Sequence, residues 1–237
     1  MKNLLFCMVA YSLTLIIILL SSCSKKQIYP EIVIDIDGNS YNTIKIGDQL
    51  WMKENLRTTH FTNGDEILTT PRYQDIGSEI NPIYQWSYFE DKENPAIYGR
   101  FYTWYAIKES RRICPEGWHV PSSAEWDKMI NFLGGNIIAG GILKETINNY
   151  WGGLPMSNQK TNGFDAVPTG VRLENGFLMH ESTETTFWAS DDYVLEINGQ
   201  PTYLFALNYS LRDQSSEIKQ YATRKNSGMV VRCVSDQ

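Results

Sequence analysis

The stretch Cys114-Pro115-Glu116-Gly117-Trp118-His119-Val120-Pro121-Ser122-Ser123-Ala124-Glu125-Trp126 organises the rest of the chain. Ser122 followed by Glu125 makes a capping box: the serine side chain takes the Glu125 amide, and Glu125 reaches back to the Ser122 amide. Pro121, just before the cap, disfavours helix upstream. Trp126, Met129, Ile130 and Leu133 then recur at i, i+3, i+4 and i+7, one apolar helical face. Gly134-Gly135 ends it. The spacing predicts one short helix over 122–133 that lays this stripe on a core.

Outward from that helix the pattern is mostly strand and loop. Ile32-Val33-Ile34-Asp35-Ile36, Tyr41 to Ile46 and Gln49-Leu50-Trp51-Met52 alternate and are split by Asp37-Gly38 and Gly47-Asp48, which predicts a β-meander. Residues 70–97 hold Pro71, Pro82, Pro95 and several Tyr and Trp without a period, and read as a long ordered loop of the kind that often carries binding function. Phe101, Trp104, Tyr105 and Lys108 at helical spacing predict a short aromatic helix within Gly99–Lys108. Gly140-Gly141-Ile142-Leu143-Lys144 reads as loop with brief order. Asn162-Gly163 turns into a short strand, Phe177 to His180 pairs next, and Phe187-Trp188-Ala189-Ser190 reads as a buried strand. Tyr203 to Tyr209 alternates, and Gly228 to Val234 is the closing strand.

The chain has 237 residues, a net charge of −6 and 13% aromatics, among them 7 Trp and 14 Tyr. That length suits one domain with a substantial core plus a leader. So many flat amphipathic rings either pack a loop-rich core or line a recognition surface. The acidic balance, with Lys25-Lys26 and Arg111-Arg112 as isolated basic pairs, argues against a nucleic-acid partner, which needs a basic stripe.

Lys2 precedes an apolar run from Leu4 to Leu20, then Ser21-Ser22-Cys23, which reads as a secretory signal over 1–22. The cysteine after small residues resembles the lipobox of bacterial lipoproteins. That resemblance implies cleavage before Cys23, diacylglycerol on its sulfur, and a further acyl chain such as palmitate on its new amino group. One chain anchors marginally and several anchor firmly, at about 0.8 kcal/mol per buried methylene. The other reading is an uncleaved anchor, since the run is near the lower length for spanning. Residues 23–31 are then lipidated cysteine and tether, and 32–237 the folded domain. Ser24 stands where aspartate goes with inner-membrane retention, which resembles outer-membrane sorting. No acidic tract follows Cys23, so the cell surface and the periplasmic side both stay open.

Cys7 leaves with the signal and Cys23 carries lipid, which leaves Cys114 and Cys233 as a pair in an oxidising compartment. We expect a disulfide that ties the last strand to the start of the central helix. Two buried free thiols are the alternative.

Taken in order, several motifs resemble one family across about residues 32–236. They are Asp35-Ile36-Asp37-Gly38-Asn39 with Tyr41; Ile46-Gly47-Asp48-Gln49 with Trp51-Met52 and Glu54-Asn55-Leu56; Trp104-Tyr105-Ala106; Cys114-Pro115 with Gly117-Trp118-His119-Val120-Pro121-Ser122 and Glu125-Trp126; Asn162-Gly163-Phe164; Phe187-Trp188-Ala189-Ser190; and Arg232-Cys233-Val234. The family is the Fibrobacter succinogenes major paralogous domain. The resemblance implies secreted proteins and lipoproteins with a C-type-lectin-like α+β fold, loop-rich, with short antiparallel sheets and one or two short helices. It also implies distant similarity to sulfatase-modifying enzymes and to domains of fimbrial tip proteins. The chain departs from the pattern at Val171, where an aromatic is usual before the arginine, and in its longer stretch around 72–97.

The resemblance raises three chemistries. Formylglycine-generating enzymes resemble the chain at Val120-Pro121 and Arg232-Cys233-Val234, but their copper chemistry needs a dedicated C-terminal thiol pair, and Cys233 stands alone there. No Gly-x-Ser-x-Gly elbow or His-Glu-x-x-His helix occurs, and His119 reads as a packed, hydrogen-bonded histidine rather than a base. Calcium-dependent lectins ligate through oxygen-rich loops; Trp188-Ala189-Ser190-Asp191-Asp192 resembles one such strand in part, so Asp191 and Asp192 either bind calcium or form a solvated turn. Tyr84, Trp86 and Tyr88 either stack on a ligand or pack. The expectation is a non-enzymatic, lipid-anchored envelope module for a glycan or protein ligand, with no obligatory cofactor. The alternatives are a fimbria-associated or envelope assembly component and an unrecognised hydrolase.

Overall fold

Along Ser40–Ile46 the strand buries Tyr41 and Ile46 and turns Asn42 and Lys45 outward. It sits in the middle of the expected meander: β1 (Ile32–Ile34), β2 (Ser40–Ile46) and β3 (Gln49–Met52) pair antiparallel, with Ile34 opposite Ser40 and Ile46 opposite Gln49. The computed structural model describes residues 31–88, 95–152 and 162–236. The signal segment, Cys23 and the tether through residue 30 lie outside the described residues. The other strands are β4 (Gln85–Ser87), β5 (Arg100–Thr103), β6 (Trp118–His119), β7 (Val171–Arg172), β8 (Leu178–Met179), β9 (Glu184–Ile197), β10 (Gln200–Arg212), β11 (Ile218–Arg224), β12 (Gly228–Met229) and β13 (Val234–Ser235). The helices are α1 (Pro95–Tyr98), α2 (Trp104–Lys108), α3 (Ser123–Phe132) and α4 (Asn136–Leu143). The fold is α+β, with mostly antiparallel sheets.

Two sheets have five strands each, in the orders β1-β2-β3-β13-β6 and β4-β5-β12-β7-β8. The third is β11-β10-β9. Its β9–β10 hairpin runs to 14 and 13 residues, longer than the short strands expected. Phe187 to Ala189 lie buried in its proximal half, as their apolar run requires.

The central helix follows its sequence closely. Ser122 Oγ accepts from Glu125 N–H at 3.3 Å, and Ser122 N–H donates to Glu125 Oε2 at 2.8 Å. Trp126 is fully buried and meets Trp51 at 5.0 Å, Tyr209 at 5.1 Å and Phe187 at 5.4 Å between ring centroids. One helical residue thus holds strands from two sheets, and aromatic pairs of this kind add about 0.5–1.5 kcal/mol each beyond buried area. The second core cluster surrounds the Cys114–Cys233 disulfide, with Trp188, Tyr102 and Trp118 against it. The bond spans 119 positions, which the chain-entropy model makes worth about 4–5 kcal/mol.

Five expectations change. Gly99–Lys108 is not one helix. Phe101 and Tyr102 are held as a strand between β4 and β12, and helix starts only after Thr103, whose hydroxyl caps the Ala106 N–H. The Gly140-Gly141 stretch is helical, in α4. A Cβ on Gly140 would come within 2.6 Å of the Glu217 backbone, so glycine there serves close packing of the helix on a loop rather than a break. The long loop over 70–97 contains β4 and α1. The closing strand is divided into β12 and β13, which belong to different sheets. The described residues hold four helices where one or two were expected.

His119 links the start of α3 to the C-terminus. Its Nε2 lies 2.7 Å from Glu125 Oε1, and its Nδ1 bonds Asp236. The Glu125 bond, opposed by burial and aided by Asp236, raises the His119 pKa to about 8. Burial alone would raise Glu125, but His119 and Ser122 bring it down to about 2. A histidine whose folded pKa lies above its unfolded value of about 6.5 stabilises fully below pH 6.5, and that contribution is lost as pH rises through about 8. The side chain is 39% exposed, so solvent screening limits the effect to about 1 kcal/mol or less. Urea unfolding from pH 6 to 9 is expected to show this fall in the wild type and not in His119→Gln. An identical fall in both would assign it to another group.

Candidate functional site

Gly228 on β12 stands opposite Thr103 of β5 and Arg172 of β7. A Cβ there would lie 3.2 Å from atoms of Trp86, Phe101 and Arg172. With only hydrogen at that point, Trp86 from β4 and Arg172 from β7 meet across the two intervening strands. The guanidinium carbon sits 3.8 Å from the indole centroid, close enough for a strong cation–π contact.

Arg172 is only 3% exposed. Its guanidinium donates to Leu173 O at 3.1 Å and to Arg72 O and Gln74 O at 3.2 Å. The 72–74 loop that carries two of these carbonyls is pressed against the β7–β8 turn. Gly176, at φ 86°, permits this: a Cβ there would meet Arg72 O at 2.3 Å. The Ile76 N–H donates to Glu174 O at 2.8 Å across the same seam. Burial draws the Arg172 pKa down to about 10, which still leaves it charged at neutral pH. Among the described residues no carboxylate pairs with it. Arg100 of β5 lies nearby, with its Nε donating to Gln85 Oε1.

Trp86, Tyr88, Arg100, Phe101 and Arg172 line a cavity of about 250 Å³, with Thr69 and Thr70 at its wall. Among the described residues that line it, none is acidic, in a chain whose net charge is −6. The arrangement offers charged donors, hydroxyls and apolar walls, which suits recognition of an anionic group.

The expected site residues fall in different places. Trp86 is 5% exposed; its Nε1 donates to Thr70 Oγ1 at 2.9 Å, and Arg172 covers one of its faces. Tyr88 stacks on Tyr98 at 4.4 Å, and its hydroxyl donates to Glu181 O at 2.8 Å. Tyr84 packs beside Trp86, and its hydroxyl donates to Glu79 Oε2 at 2.9 Å. Packing therefore takes much of the surface that stacking on a ligand would use. Asp191 accepts the Ser123 N–H at the start of α3, and Asp192 pairs with Lys225. Among the described residues no group of three His, Cys, Asp or Glu converges as a metal centre would need. Lipidation at Cys23 lies outside the described residues. Arg100, Arg172 and Gly228 escaped the sequence reading. The sequence signals of Arg172 were its place after Val171 and before the Asn175-Gly176 turn, and neither points to Trp86.

The family model described as the Fibrobacter succinogenes major domain matches residues 44–235. The chain belongs to that family. No curated protein and no solved structure matches it.

Gly228→Val is expected to push Trp86 off Arg172. Overpacking of this kind costs about 1–3 kcal/mol, readable as a lower urea midpoint with a changed tryptophan emission. Unchanged stability and emission would mean that the gap at Gly228 is not what brings the two side chains together.

Proposed function

We propose that this member of the Fibrobacter succinogenes major domain family is a lipid-anchored, non-enzymatic binding module of the cell envelope, attached to the outer membrane, with a C-type-lectin-like scaffold. It presents a preformed site to a glycan or protein ligand. The cavity beside Trp86 and Arg172 carries this reading: it is lined from four strands of one sheet, β4, β5, β7 and β8, with threonines at its wall and arginines to charge it. The leader supports the address, through Leu20-Ser21-Ser22-Cys23.

A general base needs a free imidazole nitrogen. Both nitrogens of His119 are engaged by carboxylates, and Ser122 bonds Glu125 rather than the imidazole. That weighs against the hydrolase reading. Asp191 and Asp192 are each engaged within the protein, so binding is proposed to be independent of calcium.

One observation favours the second reading, an envelope assembly component. The distal part of the β9–β10 hairpin exposes Val194 (47%), Ile197 (50%), Tyr203 (62%) and Leu204 (51%). These exposed apolar side chains, spread over both faces of the hairpin, suit contact with another protein.

Glycan and protein arrays probed with the full chain in mild detergent, with and without chelator, test the proposal. The expected result is selective binding that survives chelation, together with release of a Cys23→Ser chain from the membrane fraction. No selective binding on either array would shift the assignment to assembly. Loss of binding on chelation would return calcium to the site.

A further inference from the structure

We infer that the cavity beside Trp86 receives the carboxylate of an acidic sugar residue, a hexuronate. The inference rests on the binding-module reading and narrows its ligand.

The first ground is charge. Arg172 has five N–H donors, and three bonds to backbone carbonyls leave Nε–H and one terminal N–H unspent among the described residues. Among the described residues Arg100 spends only Nε, on Gln85. A guanidinium fork matches a planar carboxylate through paired hydrogen bonds. Another buried arginine also makes three hydrogen bonds, and differs in having carboxylates near it. Arg232, 1% exposed, donates to Asn55, Phe164 O and Asp165 O, lies against the Phe164 and Phe187 rings, and has Glu54 and Asp165 near enough to favour its charge. Among the described residues Arg172 has no such acid near it, and it borders an open cavity.

The second ground is shape. At about 250 Å³ the cavity is just below the usual range for small-molecule sites, roughly 300–1,000 Å³. It holds one ring rather than an extended segment. Phe101 and Leu178 supply apolar wall for the ring carbons, and Thr69 supplies a hydroxyl for its own hydroxyls. An acidic peptide would need a groove or a free strand edge for its backbone. Here the Gln85 N–H of the outermost strand already bonds Leu68 O.

The test is titration of the full chain in detergent, followed by calorimetry and tryptophan emission. The probes are glucuronate and galacturonate oligomers, their neutral glucose and galactose counterparts, and an acidic peptide. Arg100→Gln is the variant of choice because Arg100 is half-buried and a glutamine amide keeps a donor for Gln85 Oε1; Arg172→Lys is the second. A charge-assisted hydrogen bond contributes about 1.5–3 kcal/mol. Uronate binding should therefore weaken about tenfold or more in Arg100→Gln at unchanged melting temperature, and should fall with added salt. Equal affinity for neutral sugars, tighter binding of the acidic peptide, or no uronate binding would each overturn the inference. An array ligand whose affinity ignores Arg100→Gln would also overturn it while leaving the binding-module reading in place.

Discussion

The last nine described residues hydrogen-bond into every sheet. Gly228 and Met229 complete the sheet that holds Trp86. Val230 then bridges Phe187 and accepts the Trp188 N–H at 3.2 Å, reaching the long hairpin. Val231 O accepts from Leu56 at 2.8 Å, and Cys233 O from Met52 at 3.1 Å. Val234 pairs with Trp51 and His119, and the Asp236 N–H ends on Gly117 O. A segment in this position cannot leave one partner without loosening the others, since each buried backbone group it gave up would need a new acceptor or donor. The disulfide at Cys233 fixes the segment to the head of α3 covalently, and the ion pairs of His119 do so electrostatically.

The same segment explains how two buried arginines are accommodated. Arg232 and Arg172 use the same device, a guanidinium over aromatic rings with backbone carbonyls as acceptors. Arginine suits this better than lysine because its charge is spread over a flat, weakly hydrated group. The two differ in what lies beyond. Arg232 is enclosed by Phe164, Phe187 and Asn55, whereas Arg172 borders the cavity. One device thus serves packing in one place and, on our proposal, recognition in the other.

Much of the scaffold was legible from local chemistry. The capping box, the Trp126 stripe, the meander and the cysteine pair each involve residues whose spacing or type forces a geometry. The errors share a cause. Gly140-Gly141 reads as a breaker until Ser216 and Glu217 are seen to press against it. The spacing of Phe101 and Trp104 reads as helical until β4 and β12 claim Phe101 for a sheet. In both cases a partner distant in sequence outweighed a local propensity of at most about 1 kcal/mol per residue.

The sequence by itself determined the central helix and its cap, the meander and membership of the family, because these rest on short-range geometry or on motifs in order; it offered Cys114 and Cys233 as a pair by elimination, with free thiols as the alternative, and the structure bonds them. Only the tertiary structure decided that Trp86, Arg100 and Arg172 share a cavity, that Asp191 caps a helix, and that Asp192 neutralises Lys225. The physical reason is that a side chain's partners are set by strand order. β12 lies between β5 and β7, and the missing side chain of Gly228 lets residues far apart in the chain touch.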